Sequence, residues 1–398
     1  MEEGRAGNDV GLMAILDLPP FDLALPARIV FGRGKAAQAP DMIAGFGSRV
    51  LLVHGANPAR AEWLVTALQD RGAEVSTQAC SGEPDLPMLE MALKKTRDFN
   101  PDGVIALGGG SVIDLGKALA GLARTSGPVT DYLEVVGKGL PLDAEPLPFI
   151  ALPTTAGTGS EVTRNAVIGI PEHHRKVSLR DPRMLADLVI VDPALTDDCP
   201  RTVTLASGLD AITQLIEPYI CSRANAFTDS LCLNALPPAL KAIRILMKHE
   251  DAGARDTMAW ASLCGGLALA NAGLGAVHGL AGVIGGMTGA PHGEICASLL
   301  PATLTANRSA MKRSGIDTAR IDHVFGMLET AFPAEAVDGP GALRFWSRGN
   351  GIRSMTELGL ARSQFEEAAR AAVSSSSMRA NPVALPVEGL CTILEASS

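Results

Sequence analysis

The chain has 398 residues, which at about 150 residues per domain points to two or three domains. Charged residues make up only 19%, the net charge is −9, and apolar residues reach 47% alongside 42 glycines. Such a chain is too apolar for disorder and shows no three-residue glycine period of a collagen. It also lacks the basic balance of a nucleic-acid binder.

The first residues, MEEGRAGNDVGLMAIL, are acidic and show no basic stretch followed by a long apolar run. No signal peptide is read there, and residues 1–18 are expected to be flexible. Seven scattered cysteines form no CxxC pair and read as reduced, mostly buried thiols of a cytoplasmic protein. Strand candidates follow at Arg49–His54, Glu74–Thr77, Gly103–Leu107, Phe149–Leu152 and Leu188–Val191. Helical spacing separates them over 58–70, 86–99 and from Gly110 to about Ala123. Strand–helix alternation of this kind predicts a mostly parallel sheet with right-handed crossovers.

After Asp192-Pro193 the pattern turns helical over 203–220, 226–247, 254–288, 292–310, 317–331, 340–357 and 362–373. The expected architecture is an α/β domain with a parallel sheet over 1–194 and an all-α domain over 195–398. From Thr257 to Gly293 there is no charged residue, a length that would span a bilayer. Ten glycines, Asn271, His278 and His292 interrupt that run, so it reads as a bent, buried core segment and not as a membrane span.

Gly108-Gly109-Gly110-Ser111 follows a predicted strand and opens a helix carrying Asp114 and Lys117. Missing β-carbons let a diphosphate approach the backbone, and the helix start offers free N–H groups and a positive dipole end. The spacing is neither GxGxxG nor GxxxxGK[ST]. A second loop, Pro153–Glu161, supplies Thr154, Thr155 and Thr158 together with open backbone at Gly157 and Gly159, at the sheet edge where ligands bind.

The helical half holds Asp210 and Gln214 in GLDAITQ, then His278 and His292. Ligands of one divalent ion lie about 2.0–2.2 Å from it, so their donors must come within about 4 Å of each other. On one straight helix the two histidines would stand about 21 Å apart. Gly285-Gly286, Gly289 and Pro291 are read as the break that brings them together. An aspartate and two histidines then give a three-ligand site with an open position.

These residues resemble the iron-containing (group III) alcohol dehydrogenases. That superfamily includes maleylacetate reductases and is related to glycerol dehydrogenases and dehydroquinate synthases. The resemblance runs from Phe21 to Pro382 and rests on GGGSVIDLGK, LPTTAGTGSEVT, DLVIVDP, GLDAITQLIE and the two histidines fourteen apart. It implies a Rossmann-like domain and a helical domain with nicotinamide and metal meeting between them, and a homodimer. By resemblance, Gly109, Gly110 and Ser111 form the pyrophosphate loop, with Asp114 just inside the helix. Thr154, Thr155 and Thr158 contact the nucleotide, and Lys176 lies near the nicotinamide ribose. Asp210, His278 and His292 are the metal ligands and the catalytic set.

The chain departs from this pattern at two positions. Gln214 stands where the family has a ligand histidine, leaving an amide, a weaker donor than imidazole, as the fourth candidate. Gly282 stands where the family has a second histidine near the substrate. The turn at Gly55 lacks an acidic residue for the adenosine ribose and carries Arg60, which leans toward NADP over NAD.

The expected reaction is hydride transfer between nicotinamide and a small alcohol or aldehyde, assisted by iron or zinc. No nucleic-acid or membrane partner is expected. The rivals are a metal-independent maleylacetate-reductase-like enzyme using Arg164, Arg175, Arg180 or Arg379 for a carboxylate, a dehydroquinate-synthase-like lyase, and a non-catalytic nucleotide binder.

Overall fold

The computed structural model describes residues 19–333 and 337–398; the expectations for residues 1–18 lie outside them. Among the described residues there are eight strands: β1 Ile29–Phe31, β2 Arg49–Gly55, β3 Glu74–Cys80, β4 Gly103–Gly108, β5 Phe149–Pro153, β6 Asn165–Ile170, β7 Arg175–Arg180 and β8 Leu188–Val191. Six of them form one sheet in the order β1-β8-β5-β4-β2-β3, with every pair parallel. The inner strands are continuous apolar runs because helices cover both faces. Alternate residues serve opposite layers. Leu51, Val53, Val104 and Ala106 pack toward the helix Gly110–Leu122, and Val50, Leu52, Ile105 and Leu107 toward the helix Glu62–Gln69.

The sequence reading lacked β1 and the antiparallel hairpin β6–β7. β1 is only three residues long and only partly covered. In the hairpin, burial alternates through Ala166, Ile168 and Ile170, then Val177 and Leu179. Gly169 and the Pro171–His173 turn obscure that period in the sequence.

Beyond β8 the chain is helical. The principal helices of this half are Arg201–Ile220, Ala226–Leu246, Ala252–Asn271, Ala276–Thr288 and His292–Arg313. The bend expected in the helical stretch over 254–288 is a full break: two helices, Ala252–Asn271 and Ala276–Thr288, meet at 98°. Gly273 turns the chain there at φ +121, where a β-carbon would lie 2.4 Å from the Arg223 guanidinium. The helix expected over 340–357 ends at Gly349, just before Gly351 at φ +113. A further helix, Val387–Ala396, was not anticipated. Among the described residues no single helix is long and apolar enough to cross a membrane. The charge-free run is packed in the helical core through Ala261, Cys264, Val277, Leu280 and Ile284.

Candidate active site

Parallel pairing sets the carboxyl ends of β2, β4 and β5 on one edge, with His54 beside Leu107 and Gly108 beside Pro153. From β2 the chain continues outward to β3, and from β4 it continues the other way to β5. The gap between β2 and β4 is therefore the switch point where open α/β sheets bind nucleotides. Gly55 closes β2 on one side of that gap, and no atom would stand within 4 Å of a β-carbon there. Gly109 and the helix beginning at Gly110 stand on the other side.

The two predicted loops interlock at this edge. The Thr154 N–H donates to the Gly108 carbonyl at 2.9 Å. A β-carbon on Gly110 would lie 2.7 Å from Thr158 Oγ1, and one on Gly109 would lie 3.2 Å from Thr155 Oγ1. Ser111, Thr154, Thr155 and Thr158 all keep partial solvent access. Gly157 and Gly159 have a different job from the one expected. Their β-carbons would meet Ser207 at 2.7 Å and Gly266 at 2.5 Å, so they seat the loop against the helical half.

Asp114 also departs from expectation, because protein groups occupy both of its oxygens. The Ser160 hydroxyl donates to one, and the Val167 N–H donates to the other at 3.1 Å. Lys117, one turn further on, is buried and donates to the carbonyls of Ser160 at 2.5 Å and Asn165 at 2.9 Å, and to Thr163 Oγ1 at 2.9 Å. Burial pushes its ammonium down to about 8. Asp114 and Lys117 tie the helix to the second loop and leave the ligand to backbone and hydroxyl groups. Lys176 on β7 pairs with Glu83 and lies against Gly285 in the Ala276–Thr288 helix. Arg60 is exposed in the turn after β2.

The second cluster draws on three helices. Asp210 and Gln214 lie one turn apart on Arg201–Ile220, His278 begins Ala276–Thr288, and His292 begins His292–Arg313. The break between the histidines is made at Gly289 (φ +68) and Pro291; Gly285 and Gly286 stay helical. A β-carbon on Gly286 would lie 2.7 Å from the His174 carbonyl, so these glycines let the helix lie against the hairpin. Gly293 lets the next helix approach the Asp210 helix, for its β-carbon would lie 2.5 Å from the Ala206 carbonyl.

His278 Nε2 lies 3.3 Å and His292 Nε2 lies 3.9 Å from Asp210 Oδ1. Behind His278, its Nδ1–H donates to Glu217 Oε2 at 2.6 Å, while Glu217 Oε1 accepts the Val277 N–H at 2.7 Å. That hydrogen bond turns Nε2 toward Asp210, the arrangement that orients metal-binding imidazoles. Asp210 Oδ1, Gln214 Oε1 and His278 Nε2 are all buried without a hydrogen-bond partner. Burial disfavours ionised Asp210, yet the imidazoles of His278 and His292 beside it hold its carboxyl below the usual range. Burial likewise works against a charged His278, but Cys296, Asp210 and Glu217 outweigh it and raise the imidazole well above its ordinary value. The donor set fits a divalent cation.

Two members were missed from sequence. Glu217 closes the GLDAITQLIE motif without any sign of its role. Cys296 brings its sulfur to 3.6 Å from His292 Nε2. The only advance sign of Cys296 is its place four residues after His292, on the same helix face. None of the four arginines considered for a carboxylate is buried: Arg180 pairs with Glu134 at 2.8 Å, and Arg175 and Arg379 are exposed.

A nucleotide-type sheet edge facing a buried aspartate–histidine cluster defines a dehydrogenase-like scaffold. Family models describe residues 26–193 as iron-containing alcohol dehydrogenase and residues 204–398 as the C-terminal part of the same family. The chain belongs to the iron-containing alcohol dehydrogenase family. A long-chain-alcohol dehydrogenase 1 of Geobacillus thermodenitrificans is 42% identical over 220 residues; the match spans 55% of each chain, little more than half of that relative. A 1,3-propanediol oxidoreductase structure is 28% identical with a TM-score of 0.84, covering 96% of this chain and all of the other. A sulfoacetaldehyde reductase of Bifidobacterium kashiwanohense in complex with NAD+ is 26% identical with a TM-score of 0.79, covering 95% and 98%.

Proposed function

We propose that the protein is a metal-dependent, NAD(P)-linked alcohol dehydrogenase or aldehyde reductase acting on a small, fairly apolar substrate. One observation carries this reading: Asp210 Oδ1 and His278 Nε2, 3.3 Å apart, and Gln214 Oε1, one helical turn from Asp210, are all buried without a hydrogen-bond partner. Ser207, against which Gly157 packs, precedes Asp210 by three residues on one helix. In this reading residues 1–194 bind the nucleotide, and residues 195–398 bind metal and substrate. The NAD+ complex of the sulfoacetaldehyde reductase supports a nicotinamide cofactor, and the exposed Arg60 beside Gly55 supports the 2′-phosphate form.

When bound, the ion supplies Lewis-acid polarisation of a carbonyl or alkoxide oxygen and the nicotinamide supplies or accepts a hydride. Asp210, His278 and His292 hold the ion, and Glu217 fixes the tautomer and direction of His278. Gly109, Gly110 and Ser111 present helix-terminal N–H groups to the pyrophosphate. Gly55, Thr154, Thr155 and Thr158 border the rest of the nucleotide, and Lys176 is assigned to the nicotinamide ribose. The apolar helices around His278 exclude water from the reacting carbon. The seven free thiols support a cytoplasmic location. The edge strand β1, paired on one side only, supports a homodimer.

Replacing His278 with alanine is expected to lower turnover by at least about 10³-fold, the scale of losing a principal electrostatic group. Nucleotide binding, followed by NADPH fluorescence, should stay within about threefold of wild type. Undiminished turnover, or full activity after exhaustive EDTA treatment, would favour the metal-independent rival.

A further inference from the structure

We infer that Cys296 is the fourth metal ligand and that its thiolate takes the place left by Gln214, making the centre one that prefers zinc. The inference rests on the metal-dependent reading above and assigns a ligand that the family pattern does not contain.

The geometry comes first. Metal–donor bonds of about 2.0–2.3 Å at tetrahedral angles put neighbouring donors about 3.3–3.8 Å apart. Asp210 Oδ1 to His278 Nε2 is 3.3 Å, Cys296 Sγ to His292 Nε2 is 3.6 Å, and Asp210 Oδ1 to His292 Nε2 is 3.9 Å. One donor atom each from Asp210, His278, His292 and Cys296 lies within 4.8 Å of all the others, the only such group of His, Cys, Asp and Glu among the described residues. Two helices each present a pair one turn apart: Asp210 with Gln214, and His292 with Cys296. The donor lost from the first helix is thus supplied from the same relative position on the facing one.

The charges agree. Asp210 and Gln214 together offer one negative charge, whereas Asp210 and a Cys296 thiolate offer two, matching a divalent ion in a pocket where uncompensated charge is costly. On binding, the Cys296 S–H bond gives way to a sulfur–metal bond and one proton leaves to solvent. Thiolate is a soft ligand that suits zinc, while carboxylate and amide oxygens alone suit harder ions. Gln214 then stands beside the ion with its amide free to hydrogen-bond a substrate.

The test is X-ray absorption on the zinc-loaded full chain, with zinc affinity measured for wild type, Cys296→Ser and Gln214→Ala. The expected result is one zinc per chain with one sulfur neighbour at about 2.3 Å. Cys296→Ser should lose that neighbour and bind zinc at least about 10-fold more weakly, no less than removal of an outer-shell partner costs. Gln214→Ala should keep the sulfur. One zinc with only nitrogen and oxygen neighbours in wild type overturns the Cys296 assignment but leaves the metal-dependent reading standing, and this readout needs no variant to fold. A Cys296→Ser chain with wild-type zinc affinity also overturns it. A wild-type chain that retains neither zinc nor iron overturns both.

Discussion

In the sheet half, the buried ammonium of Lys117 meets three oxygens within 2.9 Å. In the helical half, Asp210, Gln214 and His278 each keep a buried polar atom that nothing in the protein satisfies. A buried unpaired donor or acceptor costs about 1–3 kcal/mol, so three on neighbouring residues mark a place prepared for something else. The satisfied lysine marks scaffold. Burial and charge are alike in the two regions, and the completeness of the hydrogen bonding tells structure from chemistry.

The sharpest way to break this contrast is Lys117→Met. It removes a buried charge while keeping volume and leaves Thr163 Oγ1 and the Ser160 and Asn165 carbonyls without their donor. A loss of about 3–5 kcal/mol in urea unfolding is expected. Metal content should not change in the protein that remains folded. A loss below about 1 kcal/mol would mean that Lys117 is not the tie between the helix and the second loop.

Glu161, beside Lys117, extends the contrast to pH. Burial raises its carboxyl from 4.5 to about 7. Between those values the folded chain holds a proton that the unfolded chain releases, so stability falls as pH rises. Its contribution is complete below about pH 4.5 and is lost as pH passes 7, by up to about 3 kcal/mol. Glu161→Gln should flatten that slope in denaturation curves between pH 5 and pH 8; an unchanged slope would place the titrating group elsewhere.

The same contrast governs what the sequence disclosed. The nucleotide edge was legible because its parts are contiguous: a buried apolar run, three glycines and a helix start lie within about a dozen residues. The aspartate–histidine cluster was legible only as far as Asp210, His278 and His292, residue types whose chemistry announces itself. Cys296 reads as one more buried small hydrophobe until the helix His292–Arg313 is laid against Arg201–Ile220, and that packing depends on the missing side chain of Gly293. Gly157 and Gly159 were assigned to the cofactor because a glycine in sequence does not say which neighbour comes close. The bend expected among the ten glycines of the charge-free run falls at Gly273, and its φ of +121 and the Arg223 beside it fix the place.

Glu217 tests whether the orphaned atoms depend on support behind them. Its carboxylate both orients His278 and meets the N–H of Val277 at the start of that helix, where negative charge is favoured. Glu217→Gln preserves shape but weakens both bonds. Metal affinity, measured by competition with a chelator, should fall about 10–100-fold, with nucleotide affinity unaltered. A variant that binds metal normally would make Glu217 a helix cap alone.

The smallest expected effect lies at the far end of the sheet edge, where Arg60 is exposed and Gly55 leaves open space. An exposed charge facing a 2′-phosphate is worth at most about 1 kcal/mol and is screened by salt. Arg60→Ala should therefore lower the NADPH-to-NADH ratio of kcat/KM by about two- to fivefold, through NADPH alone. The difference between wild type and variant should shrink further in 0.5 M salt. Because this contact carries no buried atom, its loss should leave stability and metal content unmoved. An equal fall for both cofactors would instead make Arg60 a support for the turn after β2.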